Sequence, residues 1–254
     1  MAGTPGSGHA SVPPLYGLIL AGGRSTRMRR DKAALAYRGR TQLERAMALL
    51  DGRVERTYVS VRAEQRAEPL RARFPQIVDT LADVGPVAGL LAAQAQHPEA
   101  AWLVLACDLP LLDGATLAHL LRARDPARTA TAYRSSHDGL PEPLCAIYEP
   151  RSREPLSAYV AAGKQCPRKF LAGTDTLLLD EPNPCALDNI NTPEEYGSAM
   201  ATLTAQSSAT TRHVTVQYYA LLRDRAWLEA KVSAGGTSLP RLREQLVLAR
   251  SALR

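Results

Sequence analysis

The sequence predicts an α/β fold with a mainly parallel sheet covered by helices. Apolar runs of strand length alternate with stretches of helical period along most of the chain. The first such run passes into a glycine pair and then a cluster of cations, a strand-to-loop transition typical of phosphate-holding sites at the carboxyl edge of a sheet. With 254 residues, 45% of them hydrophobic, the chain can build one α/β domain of ordinary size with something smaller attached.

Residues 1–13, rich in Gly, Ser, Ala and Pro, read as a disordered tail before a domain at 14–204. In that domain the expected strands are 15–20, 57–61, 77–79, 102–107, 129–133, 144–148 and 176–179. The expected helices are 42–50, 63–73, 87–96, 115–123, 151–162 and 193–205. The loops after Leu20, Val61, Asp79 and Cys107 should then meet around one pocket. Asp113 reads as a helix N-cap and Asp83 as a turn cap. Thr192, Pro193 and Glu195 form a capping-box start for the last helix. The arginine-rich run 62–73 reads as a solvated helix face.

Near Ala205 the composition becomes Gln-Ser-Ser-Ala-Thr-Thr, a linker over 205–212. A small α+β extension follows at 213–254, with strand-like alternation from His213 and an amphipathic stretch at 238–248.

Net charge is +6, but the basic residues are dispersed and aromatic residues make up only 5%, so an anionic small molecule is expected as partner and nucleic acid is not. Cys107, Cys145, Cys166 and Cys185 share no Cys-x-x-Cys spacing, and the five histidines form no His-Glu-x-x-His group. This pattern predicts no zinc site and reduced thiols in the cytoplasm, with Cys107 and Cys145 as small buried residues. No apolar run reaches the length of a membrane span.

The segment from Leu18 reads Leu-Ile-Leu-Ala-Gly-Gly-Arg-Ser-Thr-Arg-Met-Arg-Arg-Asp-Lys. Glycines without Cβ let backbone N–H groups approach phosphate oxygens, and Arg24, Arg27, Arg29, Arg30 and Lys32 can offset triphosphate charge. Neither a P-loop nor a dinucleotide fingerprint is present. The segment resembles the nucleotidyltransferase signature Leu-Ala-Gly-Gly-x-Ser-x-Arg-Met-Gly-x-Asp-Lys, and its Asp-Lys ending is most similar to molybdenum cofactor guanylyltransferases. Three further segments extend the resemblance over residues 15–200. They are Asp79-Thr-Leu-Ala-Asp-Val-Gly-Pro, Leu103-Val-Leu-Ala-Cys-Asp-Leu-Pro, and Pro143-Leu-Cys-Ala-Ile-Tyr with Asp188-Asn-Ile-Asn-Thr-Pro.

The resemblance implies a three-layer α/β/α, Rossmann-like nucleotidyltransferase fold. It implies transfer of GMP from GTP to the terminal phosphate of molybdenum-bearing molybdopterin, with pyrophosphate released. Carried over by motif, Leu20, Ala21, Gly22, Gly23, Arg24, Lys32, Ser60, Asp79, Gly85 and Asp108 bind nucleotide. Arg27, Lys32 and Asp108 are the catalytic set, and Asn189 or Asn191 contacts the acceptor. Asp108 would bind Mg²⁺, which takes few carboxylates alongside phosphate oxygens and water. Molybdoenzymes or other cofactor-biosynthesis proteins are the implied partners.

The chain departs from the family pattern at two positions: Arg29 replaces a glycine, and Ser60 replaces the asparagine often found after the second strand. If position 29 needs positive φ, arginine there costs about 1 kcal/mol. Use of CTP or another nucleotide, and nucleotide binding for cofactor handover without catalysis, are the competing readings. The 213–254 extension resembles the opening half of the molybdopterin synthase small subunit, a ubiquitin-like sulfur carrier, without the carrier's terminal Gly-Gly.

Overall fold

The computed structural model describes residues 12–22, 31–37, 39–81 and 84–188, all within the unit Met1–Ala199. The linker, the 213–254 extension, the helix expected at 193–205, its Thr192 cap and Asp83 lie outside the described residues.

The elements in chain order are β1 (Leu15–Leu20), β2 (Ala36–Tyr37), β3 (Arg40–Thr41), α1 (Gln42–Leu50), β4 (Arg56–Val61) and β5 (Gln76–Val78). They continue with α2 (Val87–Gln96), β6 (Ala101–Ala106), α3 (Gly114–Arg122), β7 (Ala130–Arg134) and β8 (Pro141–Tyr148). The series ends with α4 (Arg153–Ala161), α5 (Pro167–Ala172) and β9 (Thr176–Asp180). Seven strands form one sheet in the order β5-β4-β1-β6-β8-β7-β9, and β2 and β3 form a separate short ribbon. Strand β8 runs antiparallel to both its neighbours, while the other four pairings are parallel.

Alternation along the strands makes the layers. Ile19, Leu103 and Leu105 face a core with Leu43, Ala46 and Leu50 of α1 and Leu117 and Leu120 of α3. Leu18, Trp102 and Val104 face the opposite core, with Val87 and Leu90 of α2, Leu156 of α4 and Phe170 of α5. A central strand buried on both faces has no polar side, which is why β6 reads Ala-Trp-Leu-Val-Leu-Ala without a break. Cys145 is buried in the first of these cores, and burial pushes its thiol up to about 12.

Two helix starts, those of α1 and α3, are fixed by side-chain caps. Thr41 and Glu44 make a reciprocal capping box on α1, and Asp113 accepts from Thr116 N at 2.7 Å on α3. Pro13, assigned to the tail on composition, has its carbonyl bonded by Arg124 at 2.9 Å.

One expected helix is absent. Residues 63–73 form two 3₁₀ turns, Ala63–Gln65 and Arg71–Arg73, in place of a continuous helix. Pro69 lacks the N–H such a helix would use and disfavours the helical region for Glu68. The run is solvent-facing for most of its length, as expected, but not at Arg71, whose side chain is only 1% exposed.

Candidate active site

The site is built at the carboxyl edge of the parallel strands. Leu20 pairs in register with Ser60 on β4 and with Ala106 on β6, so the chain leaves all three strands at one level. The ladder continues one residue further, with Ala21 N donating to Ser60 O, Cys107 N to Leu20 O and Asp79 N to Val61 O. Beyond that edge lies a cavity of about 660 Å³. Leu20, Ala21 and Gly22 line it from the first loop; Ser60, Asp79, Gly85 and Asp108 line it from the other strand ends. Seven of the expected site residues thus meet in one hollow, shared by the glycine loop and the acid after β6.

Each is held by a local cause. Asp79 follows the last residue of β5, and its Oδ1 accepts the Ser60 hydroxyl at 2.7 Å. Burial raises its pKa, opposed by the Ser60 hydrogen bond and by the charge of Arg62. That close strand-end pair needs Gly89 on α2, where a Cβ would lie 2.2 Å from Ser60 Oγ. Gly89 therefore serves the packing of helix on strand. Gly85 differs, having φ +68° with nothing within 4 Å of a Cβ position, so its role is the turn that starts α2.

Asp108 sits in a turn whose next residues are anchored. Leu109 and Leu112 are buried, and Arg45 of α1 donates to Pro110 O at 2.7 Å. Lys32 opens the 3₁₀ turn Lys32–Ala34 directly after Asp31, itself a cavity residue. Gly23, Arg24, Arg27, Arg29, Asn189 and Asn191 lie outside the described residues. Among the described residues, no group of three or more His, Cys, Asp or Glu is placed to hold a metal, and no helix is long and apolar enough to cross a membrane.

The cavity also has walls that strand-end reasoning did not single out: Arg62, Glu64, Leu81, Pro86 and Leu144. Arg62 could have been found as the residue after the expected second strand. Leu81 is unusual among large apolar residues in being 41% exposed, and its position in the wall follows from folding rather than from pattern.

Comparison with other proteins identifies the family. The MobA-like NTP transferase domain matches residues 17–178. The chain belongs to this family. It is accordingly a nucleotidyltransferase.

The relatives include a molybdenum cofactor guanylyltransferase of Rhizobium meliloti, 35% identical, with 80% of this chain and 96% of that protein covered. A probable molybdenum cofactor guanylyltransferase of Opitutus terrae is 34% identical, with 73% of this chain and 95% of that protein covered. The molybdenum cofactor biosynthesis bifunctional protein of Synechocystis is 35% identical over 76% of this chain, which spans only 56% of that protein's length. Among solved structures, the molybdopterin-guanine dinucleotide biosynthesis protein A of Archaeoglobus fulgidus superposes with a TM-score of 0.63 at 23% identity, covering 75% of this chain and 99% of its own, a likeness of fold.

Proposed function

We propose that this nucleotidyltransferase moves GMP from GTP to the terminal phosphate of molybdopterin, forming molybdopterin guanine dinucleotide and pyrophosphate. The observation that carries the reading is the convergence of the glycine-loop start, Ser60, Asp79 and Asp108 on one cavity. The names of relatives at 34–35% identity support the choice of guanylyl group and acceptor.

A phosphate monoester is largely ionised near neutral pH, so the attacking oxygen needs no side chain to remove a proton. That oxygen bonds to the α-phosphorus of GTP, the α–β bridging P–O bond breaks, and its electron pair leaves with pyrophosphate. The protein's task is alignment and charge neutralisation. In this reading Gly22 offers backbone to the phosphates, Ala21 ties the start of the loop to the sheet, and Arg27 and Lys32 neutralise the phosphate charge. Ser60, Asp79 and Gly85 shape the nucleoside end, while Leu81, Pro86 and Leu144 supply apolar wall for a planar ring. Asn189 and Asn191 are assigned to the acceptor.

Asp108 fits Mg²⁺ as a cavity carboxylate after a strand, with phosphate oxygens and water expected to complete the shell. Such an ion would supply charge stabilisation at the phosphates. The setting proposed for this reaction is the cytoplasm, with molybdoenzymes or other biosynthesis proteins receiving the product.

The test is pyrophosphate release from GTP, CTP, ATP and UTP, with and without molybdopterin and Mg²⁺, with the product mass recorded. Release is expected with GTP, molybdopterin and Mg²⁺ together. Preference for CTP would replace the base assignment, and binding without release would favour a handover protein.

A further inference from the structure

We propose that Arg71 is a positioning residue that clamps the two ends of the glycine-and-cation loop together and so sets nucleotide affinity. The inference rests on the nucleotidyltransferase reading of that loop. Its carrier is a buried guanidinium whose five N–H donors match the five hydrogen bonds found there. Nε and Nη2 both donate to Ala21 O, at 3.1 and 2.6 Å. Nη2 and Nη1 donate to Asp31 Oδ1 and Oδ2, at 2.9 and 2.6 Å, and Nη1 also donates to the Glu68 carboxylate.

Ala21 and Asp31 bracket residues 22–30, so one side chain ties the chain before the loop to the chain after it. The tie reaches past its direct partners. Ala21 N is bonded to Ser60 O on β4, which fixes one end to the sheet. Asp31 Oδ1 also accepts from Ala33 N at 3.1 Å, and Asp31 O accepts from Ala34 N, which starts the turn beginning at Lys32. Through Asp31, then, Arg71 sets where the Lys32 backbone begins. Holding both ends in the unliganded protein removes ordering cost from nucleotide binding.

The geometry is specific to arginine. A planar fork grips both Asp31 oxygens while Nε reaches the Ala21 carbonyl, whereas an ammonium is a point donor with three N–H groups. Two carboxylates face this one cation, and both are partly exposed, at 39% for Asp31 and 41% for Glu68, so without the guanidinium they repel each other beside the loop.

The test uses the full chain and two readouts on wild type, Arg71→Lys, Arg71→Gln and Asp31→Asn. Hydrogen exchange without nucleotide should accelerate in peptides spanning 20–35 and stay unchanged in β6. The KM for GTP should rise about tenfold with kcat little altered, and lysine should not restore it. Asp31→Asn, at a partly exposed position, keeps the test decisive if an Arg71 variant does not fold. Unchanged exchange at 20–35, faster exchange throughout the chain, or full recovery by lysine would overturn the clamp. If wild type fails to use GTP while local exchange responds as expected, the GTP assignment fails and the clamp stands.

Discussion

The Ser60 hydroxyl donates to Asp79 Oδ1 across 2.7 Å, joining the ends of two adjacent parallel strands at the wall of the cavity. The short Ser60 side chain fits beneath Gly89 of α2. Ser60, Asp79 and Gly89 thus form one strand–strand–helix contact.

Gly89→Ala tests this contact. The added methyl would overlap the Ser60 side chain, and overpacking of this kind costs about 1–3 kcal/mol. Urea unfolding should show that loss, and adding Ser60→Gly should recover part of it.

Asp79→Asn should raise thermal stability and weaken nucleotide binding about tenfold, as expected for loss of a buried charged contact. Burial raises the Asp79 pKa above 3.8, so its ionised form is disfavoured in the folded protein. The penalty is absent below the unfolded pKa, grows as pH rises through the folded value, and is complete above it. The Tm advantage of the variant should therefore be greatest at neutral pH and vanish below about pH 4; an advantage independent of pH would contradict the burial argument.

Asp108→Ala should lower turnover by about 100-fold or more, the scale of several kcal/mol of transition-state charge stabilisation. Circular dichroism should report an intact fold. A variant with the wild-type rate would remove Asp108 from the reaction.

Glu44 gives a second pH signature, away from the site. The Thr41 backbone N–H, the Arg73 guanidinium at 2.7 Å and the Thr41 hydroxyl hold its pKa down to about 2. Its stabilisation is full above the ordinary value of 4.5 and is lost as pH falls toward 2. Glu44→Gln can keep the capping box but not the charge, so its Tm deficit should be small at neutral pH and close over that window.

The sequence alone determined the alternation of strands and helices, because burial on both faces demands continuous apolar runs such as Leu15–Leu20 and Ala101–Ala106. It also marked Asp113 as a cap and the loops after Leu20, Val61, Asp79 and Cys107 as meeting around one pocket, since local rules of capping and sheet edges operate over a few residues. Tertiary structure decided what depends on distant partners. The reversed direction of β8 is set by pairing with β6 and β7. Arg71 looked like one solvated arginine among several; its role arises because its partners Ala21 and Asp31 are 50 and 40 residues away in the chain. No periodicity or motif encodes such a contact, because its energy exists only once the strand ends have been brought to one edge.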